Sequence, residues 1–286
     1  MRLPDFLVIG AMKSGTTTLY HDLMANPAVF LADKELNALV QHDSPEDYAR
    51  HYRTARAHQL CGDVSTCYSM LPLYPQAVSN AQRWLPNSLK IVYVVREPIG
   101  RLISHHRHMS DWHGTGRMAR DIDACVRNEP NLLAFSRYAF QLRPWLEAYS
   151  RDAVTVVRFE DYVANRWREV ARLSKFLNVP PCTDRIQADA VFNRSEKKPI
   201  NTEFWSGSIS SSAYRRLVRP LLTISVRNWL RVALLPQAPP APSPPSADTI
   251  AMLVDKLAPE VEALRQLLGH PQPLWNLEDM WACYHD

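Results

Sequence analysis

Four short runs of consecutive apolar residues punctuate the chain: 6–9 (FLVI), a weaker 29–31 (VFL), 91–95 (IVYVV) and 154–159 (VTVVRF). They are rich in β-branched residues and apolar at successive rather than alternate positions. That pattern predicts strands buried on both faces, as in a parallel sheet. Helical patterns lie between and after them: 17–24, closed by Asn26-Pro27; 98–112; 132–148; and 167–177, closed before Pro180-Pro181. Strands alternating with helices make βαβ units, so the fold class is α/β, a central parallel β-sheet flanked by helices. Beyond about residue 190 the pattern changes. A polar stretch leads into 214–235, where apolar residues are interrupted by Arg215, Arg216, Arg219, Arg227 and Arg231, a basic amphipathic helix or two helices broken at Pro220. A proline-rich linker, 236–246, precedes a last helix, 249–268, which ends at Gly269.

The expected organisation is one domain over 1–286, with an α/β core over 1–190 and a mainly helical C-terminal region over 191–286. At 286 residues, 46% hydrophobic and 22% charged, the chain has the composition of a globular protein with a substantial core. A formal net charge of +4 suits an anionic ligand and is far too weak to imply nucleic acid. Cys61, Cys67, Cys125, Cys182 and Cys283 are odd in number and show no zinc spacing, so ordinary thiols are expected. Met1-Arg2-Leu3-Pro4-Asp5 runs straight into the first predicted strand, and no apolar stretch is long enough to span a bilayer; the expectation is a cytoplasmic enzyme.

Ligands of such sheets sit beyond the carboxyl ends of the strands. Two motifs fall there. After the first strand comes Lys13-Ser14-Gly15-Thr16-Thr17-Thr18, a flexible turn with hydroxyls and a lysine that opens a helix, whose unsatisfied N–H groups favour an anion. Gly10 and Gly15 have the separation of a Walker loop, yet Thr16 follows Gly15 and the lysine lies inside the loop. After the third run, Arg96 ends a strand, Pro98 begins a helix and Ser104 lies about two turns along it. Arg96 would project into the crevice, with Ser104 presenting a hydroxyl to the same anion.

Taken together, these motifs resemble those of the sulfotransferases that use 3′-phosphoadenosine 5′-phosphosulfate (PAPS), in particular the heparan-sulfate-type and related bacterial branch. The resemblance extends through "ADKELNAL", "CGDVSTCY", "RYAFQLRPWLEAY" and "VVRFEDY", and covers roughly residues 5 to 180. It implies a P-loop-like central parallel β-sheet. It also implies that Lys13, Ser14, Gly15, Thr16, Thr17 and Thr18 hold the 5′-phosphosulfate and that Arg96 and Ser104 hold the 3′-phosphate, with no metal required. Lys13 is then the residue that stabilises the leaving-group oxygens, and Glu35, in Lys34-Glu35, is the general base, with Asp63 in reserve. The family often has aromatic residues after this glutamate, where this chain has Leu36-Asn37-Ala38-Leu39. It also often has an acidic residue and a lysine before a serine, where this chain has Asp63-Val64-Ser65. Both departures point to an acceptor unlike those of the polysaccharide enzymes.

The function expected is transfer of the sulfuryl group of PAPS to an acceptor hydroxyl, in preference to an amine, on a sugar or glycolipid, leaving adenosine 3′,5′-bisphosphate (PAP). A lipid or secondary-metabolite hydroxyl is the alternative acceptor, and a P-loop kinase or NTPase the alternative class. Partners are a glycan or small-molecule acceptor, with 214–235 offering a surface for peripheral membrane contact and no role for nucleic acid. His105-His106-Arg107-His108 does not read as a metal site, since neighbouring helical residues point apart. Residues 158–162 are expected to close a strand and cap the next helix. Lys197 and Lys198 belong either to a basic loop over the nucleotide or to a solvated charge run.

Overall fold

A computed structural model describes residues 1–110, 118–186 and 242–278. The predicted segment 214–235, Lys197, Lys198, most of the proline-rich linker and Cys283 lie outside the described residues. Strands β1 (Phe6–Gly10), β2 (Val29–Leu31), β3 (Leu60–Val64), β4 (Lys90–Val95) and β5 (Val154–Arg158) form one all-parallel sheet in the order β2-β3-β1-β4-β5. The four apolar runs are four of these strands. The fifth, β3, reads LCGDV, and its glycine and aspartate hide it from a search for β-branched runs. Both have a structural reason. Gly62 lies opposite Phe6 in the ladder, and a Cβ there would enter the Phe6 ring. Asp63 is buried among hydroxyls, described below.

Because strand side chains alternate between faces, β1 serves two cores. Leu7 and Ile9 join one apolar cluster; Phe6 and Val8 join the other. The second cluster is completed by Leu19 and Leu23 of α1 (Thr16–Met24), Tyr162 of α9 (Phe159–Ala164), and Val170, Leu173 and Leu177 of α10 (Arg166–Leu177). The first takes Ala38 and Leu39 of α2 (Ala38–Gln41), Tyr48 of α3 (Pro45–Ala49), Ala77 and Ala81 of α4 (Gln76–Trp84), Ile99 and Leu102 of α5 (Pro98–Ser110), and Ile122 of α6 (Ile122–Asn128). Onto the same side pack α7 (Pro130–Ala134), α8 (Tyr138–Ala148) and, from far along the chain, α11 (Ala247–Leu268), through Ile250, Leu253, Leu257, Val261 and Leu264.

The single helix expected over 132–148 is two. Residues 135–137 interrupt it, and there the Ser136 hydroxyl donates to the Pro98 carbonyl (2.8 Å) and accepts from Arg101 Nε (2.7 Å). Tertiary hydrogen bonds here override a local helical pattern. The last helix ends as its sequence requires, with Gly269 in the left-handed region (φ 63°) accepting the role of C′ residue. Among the described residues, no helix is long and apolar enough to cross a membrane.

Candidate active site

In a parallel sheet all carboxyl ends share one edge, so the segments after β1, β2, β3 and β4 converge there. After β1 the chain turns through Lys13 (φ 71°) and Gly15 (φ 84°) into α1. Gly15 takes the N-cap position without a side chain to cap the helix, so the first N–H groups of α1 keep their claim on an external acceptor. A Cβ on Gly15 would stand 2.7 Å from the Phe159 ring. The backbone must therefore lie against that ring, and only glycine permits it. Ser14 is fully buried, and its hydroxyl has no hydrogen-bond partner among the described residues. A buried hydroxyl without a partner is costly unless a ligand supplies one. The loop is anchored at its base by Ala11 N–H donating to the Val94 carbonyl (2.6 Å), and α1 is tied to α10 by a buried pair: Arg166 donates to both oxygens of Asp22 at 2.6 and 2.7 Å.

Arg96 follows β4, as expected. Its guanidinium lies over the Phe159 ring, 5.1 Å from the centroid, and Nη1 is 3.5 Å from the Lys13 carbonyl oxygen. One aromatic ring thus touches both motifs, supporting Arg96 on its face and limiting Gly15 at its edge. The backbone of Arg96 is clamped by Tyr138, whose hydroxyl donates to the Arg96 carbonyl (2.7 Å) and lies 3.4 Å from its N–H. Glu97 caps α5 by accepting from the N–H groups of Ile99 (2.8 Å) and Gly100 (2.5 Å). Ser104 stands half-buried in that helix.

The histidines after it have structural work. His105 is 3% exposed, stacked on Phe135, and its Nδ1 lies 3.2 Å from Arg101 Nη1; as arginine can only donate, Nδ1 accepts. Burial, and then the Arg101 charge, push its pKa down to about 2. His106 Nε2 lies 2.8 Å from the Ala119 carbonyl. Residues 158–162 close β5 and open α9 as expected. Glu160 there accepts from Glu97 N–H (2.8 Å) and Trp275 Nε1 (3.1 Å), which makes its charge a structural one.

On the other side, Glu35 sits in a turn beyond β2 with φ 60°. Its N–H donates to the Val64 carbonyl (2.9 Å). Its carboxylate accepts from Thr66 N–H (2.8 Å) and Thr66 Oγ1 (3.1 Å), and Lys34 pairs with Oε1. With its side chain 37% exposed, Glu35 remains accessible. Asp63 is not: at 0% exposure its oxygens accept from the hydroxyls of Tyr48, Tyr68 and Ser65, each at 2.6 Å. Burial raises its pKa, and the three hydroxyls act against that rise. The reserve role expected of Asp63 does not fit a group sealed in this way. Thr66 and Phe159 went unassigned in the sequence although both lie inside stretches that carry the resemblance, "CGDVSTCY" and "VVRFEDY".

A glycine-limited loop at a helix N-terminus, an arginine at the end of the neighbouring strand and a carboxylate held by Thr66 share one edge of a parallel α/β sheet. The chain belongs to the sulfotransferase domain family, whose model matches residues 3–219. It is 26% identical over 196 residues to heparan sulfate glucosamine 3-O-sulfotransferase 5 of Mus musculus (63% of this chain, 55% of that protein). It is 23% identical over 256 residues to carbohydrate sulfotransferase 15 of Mus musculus (65% of this chain, 46% of that protein). The chain thus spans about half the length of these relatives. Its fold is that of a sulfotransferase from Alicyclobacillus acidocaldarius, with a TM-score of 0.64 and 18% identity over 99% of this chain and 100% of that one.

Proposed function

We propose that the protein transfers the sulfuryl group of PAPS to a hydroxyl of an organic acceptor, a sugar or glycolipid in the first instance. The observation that carries this reading is the junction of the two motifs: Arg96 and the Lys13 loop meet on one Phe159 ring, so groups at the two ends of a single bisphosphorylated nucleotide would be held by one rigid corner. The unpartnered Ser14 hydroxyl and the uncapped start of α1 fit the donor's anionic end. The donor supplies an activated sulfuryl group. What the protein supplies is alignment and charge. Residues 14–18 orient the 5′ end, Arg96 and Ser104 take the 3′-phosphate, and Lys13 faces the charge that develops on the leaving oxygen. Glu35 accepts the proton of the attacking hydroxyl, held by Thr66 with one oxygen and shared with Lys34 at the other. A kinase or NTPase reading has Thr16 where the Walker lysine belongs. The sugar acceptor is favoured by the two relatives, both named for carbohydrate sulfation.

Two measurements test the proposal. Calorimetry should give tight binding of PAP without metal and no comparable binding of ATP with Mg²⁺. Labelled PAPS offered with a panel of glycans, glycolipids and phenols should label a member of the first two groups. Preference for ATP with Mg²⁺ would overturn the class, and labelling of phenols alone would overturn the acceptor.

A further inference from the structure

The segment carrying Glu35 is an unusual piece of chain. Glu35 (φ 60°) and Asn37 (φ 57°) both occupy the left-handed region, which a glutamate enters only when its surroundings hold it there. The short helix α2 then begins with Asn37 as its N-cap, yet the Asn37 side chain caps nothing. Two of the backbone N–H groups at this start are instead taken by hydroxyls from distant sequence: Asn37 N–H donates to Ser65 Oγ (2.9 Å) and Leu39 N–H to Tyr68 Oη (3.3 Å). Both of those hydroxyls donate their own protons to one group, Asp63, Ser65 to Oδ1 and Tyr68 to Oδ2. An ionised carboxylate only accepts, so it fixes the direction of each hydroxyl and turns the lone pairs toward the two backbone N–H groups.

We propose that Asp63 is a positioning residue for Glu35. From inside the core it fixes the Ser65 and Tyr68 hydroxyls, which hold the backbone on which the Glu35 carboxylate is presented. The proposal rests on the reading of Glu35 as the proton acceptor. Next to these bonds, Thr66 holds the Glu35 carboxylate itself, so the Glu35 side chain and the backbone of Asn37 and Leu39 just after it are secured from the same stretch, 65–68. Replacing the carboxylate by an amide leaves a group that both donates and accepts, and the two hydroxyls lose their fixed direction.

The test is a double-mutant cycle joined to amide hydrogen exchange, on the full chain with labelled PAPS and the acceptor that the panel identifies. Ser65→Ala, milder than Asp63→Asn and expected to fold even where the latter does not, should lower kcat about tenfold, as displacement of a reacting group does. The affinity for PAP should stay within about twofold of wild type, because the nucleotide contacts come from other elements. In a Glu35→Gln background the same Ser65→Ala change should cost less than about twofold, since a residue acting through Glu35 has nothing left to act on. Exchange at the Asn37 amide should quicken about tenfold or more while amides of β1 stay protected. Equal losses of kcat in both backgrounds, or an unchanged Asn37 amide, would overturn the positioning role. If Glu35→Gln alone keeps wild-type turnover, the proton-acceptor reading fails by itself, and exchange at the Asn37 and Leu39 amides in Asp63→Asn still decides whether Asp63 organises the segment: wild-type exchange there would overturn its role.

Discussion

The loop between β1 and α1 and the segment between β2 and α2 stand at the same edge of the sheet but are held by opposite means. Residues 10–15 are shaped mainly by their own backbone: two glycines at positive φ, a left-handed Lys13 and a helix N-terminus without a side-chain cap, with Phe159, among the described residues, the one distant side chain that limits Gly15. Around Glu35 nearly every fixing contact comes from 28 to 31 positions away, from Ser65, Thr66 and Tyr68. On the proposed function, the nucleotide side is written in consecutive residues and the acceptor side in side-chain pairs drawn from distant sequence.

Four experiments press on that contrast. Glu35→Gln keeps the shape of the side chain but removes its basicity; kcat should fall about 10²–10⁴-fold. PAP affinity should be unchanged by calorimetry, and loss of nucleotide binding would show that the two sides are not separate. Lys13→Ala should lower turnover about a hundredfold, the effect of losing one preorganised charge. Its melting temperature should match wild type, and near-normal turnover of such a folded variant would remove the loop from the mechanism. Arg96→Ala should weaken PAP by about 2 kcal/mol, or roughly thirtyfold, while adenosine 5′-phosphate changes little. Equal weakening of both nucleotides would place Arg96 elsewhere.

The fourth effect concerns acid and touches stability rather than activity. Folded His105 stays neutral down to a pKa of about 2, whereas the unfolded chain carries an ordinary histidine near 6.5. Below pH 6.5 the unfolded state therefore binds the extra proton, and stability falls as pH falls. Between pH 7 and pH 5 the loss through this one group should be about 2 kcal/mol. Denaturant titrations of wild type and His105→Gln at the two pH values should differ by that amount, and parallel curves would show that His105 titrates normally.

What could be read from the sequence follows the same division. Lys13, Gly15, Arg96 and Ser104 were assigned from spacing and from resemblance, and the structure brings the first three together at one corner. Four strands announced themselves because burial on both faces demands continuous apolar runs. β3 did not, since it gives up an apolar position to Gly62 for the Phe6 ring and another to Asp63 for three hydroxyls. The short helices α2, α3 and α6 span only four, five and seven residues, too few for a helical period to declare itself. Helix α4 lies in a polar sequence that buries only Ala77 and Ala81. The partnership of Thr66 with Glu35 has no local signature at all, because it exists only once β2 and β3 have paired.

One consequence of the C-terminal helix concerns synthesis of the chain. Every described strand is complete by Arg158, yet Ile250, Leu253, Leu257, Val261 and Leu264 of α11 belong to the same apolar cluster as Leu7 and Tyr93. While the first two hundred residues emerge from the ribosome, the surfaces of α5 and α8 that α11 covers face water, and Arg137 lacks the Glu260 carboxylate that it meets at 2.9 Å. Contacts between such distant positions form late and slowly. The nascent protein must therefore carry an open apolar flank until residues 247–268 are made, and a messenger truncated before residue 247 yields a chain with all five described strands, one closed apolar cluster and one left open.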